Sequence, residues 1–236
     1  MVPDGEAAPA QPLPAGPGDA AGPIGESRWP PVVVVLAFMA LNVAVRVWAP
    51  QDGVIRVPWL LPAIEALLVV VLLTSDPSSA AERRRLRQTA QVLVGLLVLA
   101  SLWATALLIH DLIEGTGDTN DPGDLLTSGG MVWLGNNLTF AVLYWLMDGG
   151  GPTARSRRPV PVDFAFTQQL NPELEMPGWR PVFLDYLHLG FTNGTAFSPT
   201  DVMPLTHRAK LAMVVQATIA LVLFGLVVAR AVNAFQ

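Results

Sequence analysis

The residues best able to do chemistry lie between Pro181 and Lys210, where hydroxyl, amide and acidic side chains interrupt apolar sequence. Such short polar groups can replace the water around a small cation, as they do in ion channels. The stretch therefore predicts a polar layer or ion pathway, shared with polar residues of other apolar segments. The candidates are Thr192, Asn193, Thr195, Ser198, Thr200, Asp201, Glu65, Asn136 and Gln216.

The same residue types also allow a structural interpretation. Asp201 or Thr206 can cap the free backbone amides at the start of the last helix. Amide side chains within apolar helices, Gln216 among them, usually form hydrogen bonds between membrane helices. Arg46 and Glu65 lie at similar depths in neighbouring apolar segments, which predicts a structural ion pair between them.

Two short motifs pair histidine with a carboxylate, His110 with Glu114 and Asp185 with His188. Residues three or four apart share a helix face, and these side chains can bind Zn²⁺. However, the spacing matches no known metal site and the chain has no cysteine, so we predict no metal or other cofactor. A nucleophile elbow, a phosphate loop and a His-Glu-x-x-His motif are also missing, which predicts a protein that is not an enzyme.

The composition is typical of an integral membrane protein. Of 236 residues, 52% are hydrophobic and only 14% charged, against about 25% charged in soluble domains. The apolar residues come in blocks of the length that a helix needs to cross a bilayer. The net charge of −5 leaves no basic surface for nucleic acid. We therefore predict an all-α fold, a polytopic transmembrane helix bundle.

The apolar blocks predict six spans after a disordered, Pro/Gly/Ala-rich tail at residues 1–28. The fifth predicted span allows two arrangements, because its 16 residues include Asp185, His188 and Asn193. If this segment crosses the membrane, the bundle has six spans, and the shared polar layer favours that arrangement. If the segment enters and returns on the same side, there are five spans plus a re-entrant segment, and the basic residues favour that one. The predicted spans cover about 29–49, 57–74, 91–113, 131–147, 182–197 and 211–233.

Basic clusters predict the orientation. Lys and Arg in short loops mark the cytoplasmic side of a membrane. The clusters at residues 83–87 and 155–158 are separated by two spans, so both lie inside and the N-terminus is cytoplasmic. We expect a multi-pass protein of the cell membrane whose partners are the lipid bilayer, further copies of the chain and a small ion.

Two resemblances involve the C-terminal third. The residues Leu184-Asp185-Tyr186-Leu187, Phe191-Thr192, Asp201, Arg208 and Ala231-Val232-Asn233 resemble the end of a family of uncharacterised bacterial inner-membrane proteins, a domain of unknown function. The order of an aromatic half-helix, a Thr-rich turn, Asp201, Pro204 and an apolar helix is also similar to the pore region of two-helix potassium channels. Phe197-Ser198-Pro199-Thr200 replaces the Gly-Tyr-Gly filter of those channels, so selectivity does not carry over.

Two main functions follow from these observations. The first is a noncatalytic membrane scaffold or sensor, in which the polar residues hold helices together. The alternative is a channel-like permeation protein that uses residues 191–201.

Overall fold

The computed structural model describes residues 29–48, 60–74, 80–114, 122–155, 161–171, 173, 179–195 and 201–234. These residues are mostly helical, so the predicted all-α class is broadly right. The helices are α1 (Trp29–Trp48), α2 (Leu60–Thr74), α3 (Ala80–Glu114), α4 (Pro122–Met147), α5 (Pro152–Arg155), α6 (Thr167–Leu170), α7 (Phe183–Thr195) and α8 (His207–Ala234). Two short strands are also present, β1 (Phe164–Phe166) and β2 (Val202–Pro204).

Helix α4 lies at the centre of the bundle, and α8 runs antiparallel to it. The start of α8 lies beside the end of α4, because Arg208 reaches the Met147 carbonyl at 3.5 Å. The far end of α8 lies beside the start of α4, where Val227 packs against Gly129. The two helices therefore pack along most of their lengths.

Helix α7 also begins beside the end of α4 and runs back along it. Phe183, at the start of α7, packs on Trp145 with 5.9 Å between ring centroids. Gly194, near the other end of α7, accepts a hydrogen bond from the Trp133 indole at 3.4 Å. Thus α7 and α8 point in the same direction.

The chain must return between α7 and α8, and the described residues show where it arrives. Asp201 lies 3.2 Å from the His188 imidazole, and β2 pairs antiparallel with β1, Phe166 opposite Val202. Entry and return are therefore at the same end of the bundle. Neither strand was predicted from the sequence.

A glycine turn ends α4 and carries the chain towards β1. Gly149, Gly150 and Gly151 have φ values of 54°, 86° and 92°. This left-handed region is costly for residues with a Cβ atom but open to glycine. The turn brings the Gly149 amide to a carboxylate oxygen of Asp163.

The predicted order of six spans is not supported. Six crossings would require α7 and α8 to run in opposite directions, but both start at the end of α4. By length and composition, the described part of the chain contains one helical segment able to cross a membrane, His207–Ala229. Two shorter apolar segments, Trp29–Ala40 and Gln88–Trp103, lie in α1 and α3.

Three helices extend beyond their predicted spans. Helix α3 includes the basic residues 83–87, α4 begins nine residues before the predicted 131, and α8 begins four residues before the predicted 211. The predicted disordered tail, residues 1–28, lies outside the described residues.

Candidate functional site

Asp163 is a buried carboxylate that accepts hydrogen bonds from side chains and from backbone. Although it is 0% exposed, it accepts hydrogen bonds from Arg208 Nε at 2.6 Å and Arg208 Nη2 at 2.5 Å. The Thr206 hydroxyl donates to the same carboxylate at 2.6 Å. A bidentate guanidinium of this kind combines charge with fixed geometry. Asp163 thereby joins the β1 segment to the start of α8.

A second buried carboxylate, Asp148, lies next to the first. Its Oδ1 accepts the backbone amide of Asp163 at 2.6 Å, and its Oδ2 accepts the Tyr186 hydroxyl at 2.6 Å. Arg155 donates to the Asp148 carbonyl at 2.6 Å and lies 5.1 Å from the centre of the Tyr186 ring. We call Asp148, Asp163, Arg155, Arg208 and Tyr186 the carboxylate cluster. It connects the ends of α4 and α5 with β1, α7 and α8.

The electrostatics of the cluster keep Asp163 ionised. Burial alone would raise the pKa of Asp163, but the hydrogen bonds from Arg208 and Thr206 and the charge of Arg208 hold this pKa below its usual value. A carboxylate held ionised with its lone pairs occupied is a poor general acid or base. The geometry is therefore that of a structural cross-link.

A second network, deeper in the bundle, is built around Gln216. Its Nε2 donates to Asn137 Oδ1 at 3.0 Å and to the Gly190 carbonyl at 2.7 Å. Its Oε1 accepts the Tyr144 hydroxyl at 2.6 Å and the Asn193 amide at 2.8 Å. Tyr144, Asn137, Asn193 and Gln216, here called the amide cluster, are all buried. They fasten α4, α7 and α8 to one another.

Two glycines let α7 approach α4 closely enough for these bonds. A Cβ atom on Gly190 would lie 3.0 Å from the Asn137 carbonyl oxygen and 3.3 Å from the Ala141 Cβ. A Cβ atom on Gly194 would overlap the Asn137 side chain. The small residues four apart that the sequence shows in α7 are therefore a packing surface.

The structure separates the predicted polar-layer residues. Asn193 and Gln216 meet in the amide cluster. In contrast, two predicted residues bond within their own helix: the Thr192 hydroxyl donates to the His188 carbonyl at 2.9 Å, and the Thr195 hydroxyl donates to the Phe191 carbonyl at 2.7 Å. The Asp201 carboxylate pairs with the His188 imidazole. Ser198 and Thr200 lie outside the described residues.

Glu65 and Asn136 lie in other parts of the bundle. Glu65, on α2, is 2% exposed. The Arg46 side chain lies outside the described residues, so the Arg46–Glu65 pair stays a prediction. Asn136 is 0% exposed, and neither atom of its amide has a hydrogen-bond partner among the described residues.

The histidine–carboxylate motifs do not form a shared metal site in the described part of the chain, where no group of three potential ligands occurs. Asp185 instead accepts the Val182 amide at 2.7 Å at the start of α7. His188 pairs with Asp201, while His110 lies near the end of α3 and the Glu114 side chain is outside the described residues.

The carboxylate cluster was not predicted from the sequence: none of its five residues was a predicted site residue. Tyr144 of the amide cluster was missed as well. One signal was present: Asp163 stands in the segment Pro161-Val162-Asp163-Phe164-Ala165-Phe166, where a lone acid among apolar residues indicates a buried, paired carboxylate.

Comparisons of the chain with protein-family models, with curated proteins and with solved structures give no match. The resemblances to an uncharacterised membrane family and to channel pore regions therefore stay predictions.

Proposed function

We propose that the chain is a noncatalytic integral membrane scaffold or sensor with five spans and a re-entrant segment. In this proposal α8 crosses the cell membrane of a bacterium by virtue of its own length and apolar composition. Helices α1, α2, α3 and α4 cross beside it as parts of the same bundle, with the N-terminus in the cytoplasm. Helix α7 enters from the cytoplasmic side and the chain returns there.

The observation that carries the proposal is that large apolar side chains are exposed on the long helices while several amide side chains are buried. Large apolar side chains are exposed along the long helices, including Val33, Val92 and Phe224. Amides such as Asn137 and Gln216 are buried. Water would favour the reverse arrangement, whereas lipid favours this one, since buried polar groups satisfy one another while apolar groups face the acyl chains.

The directions of α4, α7 and α8 support the re-entrant segment. Helix α7 has 13 residues, hence a length of about 20 Å, and it begins at the same end of α4 as α8 does, so the chain has to come back to that end before α8 begins. Arg155, Arg208 and Lys210 lie at the end of the bundle where α7 enters. Basic residues at that end agree with a cytoplasmic location.

The noncatalytic role rests on how fully the polar groups are used. Both carboxylates of the cluster accept several hydrogen bonds, and the four side chains of the amide cluster bond mainly to one another or to backbone. Groups used in this way hold helices in place. They offer no nucleophile or general base to a substrate.

A permeation protein is the second candidate, favoured by one observation. A short helix that turns back between two long antiparallel helices, α4 and α8, is the same order of elements as in the pore region of two-helix channels. However, Thr192 and Thr195 are bonded to their own helix, which leaves less of this segment to coordinate an ion.

Two measurements test the proposal. Alkaline carbonate should leave the protein in the membrane fraction, and release into the supernatant would contradict a membrane-spanning protein.

Proteoliposomes should show no more K⁺ or Na⁺ flux than empty liposomes. Flux that the Asp201→Asn variant abolishes would instead establish the permeation candidate, with Glu173→Gln, a change of another exposed carboxylate, as the matched control.

A further inference from the structure

The outer face of strand β2 is apolar, although a strand that faces water is normally polar on that side. Val202 is 3% exposed and faces the core, whereas Met203, the next residue, is 59% exposed. Leu205 follows two residues later, so it lies on the same side as Met203, and it is 52% exposed. Water is therefore a poor environment for this face of the strand.

Hydrogen bonds hold β2 level with the first turn of α8. The Leu205 amide donates to the Asp163 carbonyl at 2.8 Å, and the Asp163 carboxylate binds Arg208 of α8. Arg208 also reaches the Met147 carbonyl, at the end of α4. The apolar face of β2 therefore lies where the segment able to cross a membrane, His207–Ala229, begins.

Exposed basic side chains lie next to this apolar face. His207 and Lys210, in the first turn of α8, are both exposed. The nearest acid along the chain, Asp201, is already paired with His188, so positive charge predominates on this surface. We call the two apolar and two basic side chains the interfacial patch: Met203, Leu205, His207 and Lys210.

We propose that the interfacial patch docks on anionic phospholipid headgroups of the cytoplasmic leaflet. This inference rests on the proposed membrane location, which places this end of the bundle in the cytoplasm. Surfaces that combine apolar and basic side chains bind anionic bilayers by burying the first near the acyl chains and bringing the second to the headgroups. Met203 and Leu205 supply the apolar part. Lys210 extends its ammonium to a phosphate while its methylene groups lie along the lipid.

Fluorescence quenching at a single labelled position tests the proposal, because the natural chain has no cysteine. The full-length Met203→Cys variant, carrying an environment-sensitive fluorophore, is reconstituted into bilayers of phosphatidylcholine and the anionic lipid phosphatidylglycerol. Bromine atoms on the acyl chains of one lipid or the other report contact with that lipid, and iodide reports contact with water. Lys210→Gln, added to the labelled variant, removes one charge of the patch. Arg84→Gln is the matched control, because it removes the same charge from an exposed position of α3 on the same predicted side of the membrane.

We expect strong quenching by brominated lipid and weak quenching by iodide. At equal mole fractions, brominated phosphatidylglycerol should quench more than brominated phosphatidylcholine. Lys210→Gln should lower this preference about fivefold, since one basic side chain near an anionic surface contributes about 1 kcal/mol. Arg84→Gln should leave the preference nearly unchanged.

Other results would overturn the proposal. Quenching by iodide alone would place Met203 in water, and protection from both quenchers would mean that protein covers the patch. Equal quenching by the two brominated lipids, or equal losses from Lys210→Gln and Arg84→Gln, would show that the patch does not recognise headgroup charge. A failure of the membrane proposal is separate, because it would show as release by carbonate whatever the quenching result.

Discussion

Arg208 is the residue on which the carboxylate cluster depends most. The Arg208→Met variant keeps the aliphatic bulk but leaves the buried Asp163 without its cation. We expect a loss of roughly 3 kcal/mol in the free energy of unfolding, near the lower end for a broken buried pair because the guanidinium is half exposed. Lys210→Met, at an exposed position of the same helix, should change stability little. Unfolding in mixed detergent, followed by circular dichroism, measures both; equal stabilities would contradict this role.

The same pair predicts a dependence on pH. Because the folded-state pKa of Asp163 lies below its usual value, its ionised form stabilises the fold at neutral pH, and this contribution is lost as pH falls through the folded pKa. In Arg208→Met, burial should instead raise that pKa, so the variant should gain stability as pH falls. The difference between natural protein and variant should narrow in acid. Unfolding at pH 4 and pH 7 checks this, and a constant difference would contradict it.

Gln216 has the corresponding role in the amide cluster. Gln216→Leu removes four hydrogen bonds at once. It takes away the donor to the buried Asn137 Oδ1 and the acceptor of the buried Tyr144 hydroxyl. We expect a loss of about 1 to 3 kcal/mol, since single hydrogen bonds between membrane helices average about 0.6 kcal/mol. Thr218→Val is the control, because that exposed hydroxyl bonds only within its own helix. Equal unfolding curves for the two variants would show that the cluster is dispensable.

At the scale of residues, the sequence predicted chemistry better than partners. Asn193 and Gln216 were predicted to share a polar layer, and they do meet, because amides in apolar helices must find partners at similar depth. Asp163 was missed because its cation, Arg208, is 45 residues away in a different helix. Such a pairing depends on how β1 and β2 bring the two segments together.

At the scale of elements, α7 depends on two glycines. Gly190→Ala places a Cβ atom against the backbone of Asn137, and Gly194→Ala places one against its side chain. Overpacking of this kind costs typically about 1 to 3 kcal/mol, and α7 should move away from α4. Gly225→Ala on α8 is the control, since its Cβ meets nothing within 4 Å, and a helical alanine should be neutral or slightly stabilising. Equal effects of all three changes on unfolding would contradict the close approach.

The helices were the predictable elements and the strands were not. Long apolar blocks are a sufficient signal for α4 and α8. Strands β1 and β2 have three residues each, and a segment that short has no detectable alternation. They form because the Gly149–Gly151 turn and the return after α7 place them side by side, which no local pattern encodes.

At the scale of the whole molecule, the expected order of six spans failed for a physical reason. Polar residues at matching depth were taken as a sign that residues 182–197 cross the membrane. A helix that enters and turns back can place Asn193 at the depth of Gln216 equally well. The basic residues Arg208 and Lys210 had favoured this second arrangement, and the parallel directions of α7 and α8 agree with them.

The last prediction concerns the sides of the membrane on which the loops and the C-terminus lie. With five spans, a membrane-impermeant maleimide added to intact cells should label Thr127→Cys, near the start of α4, and a cysteine added after Gln236. Asn171→Cys and Lys210→Cys should react only after the cells are made permeable. Six spans would instead place the added C-terminal cysteine on the protected side together with Asn171→Cys. Because α8 runs antiparallel to α4, labelling of Thr127→Cys with protection of the C-terminal cysteine would contradict the direction of α8 and with it the re-entrant segment.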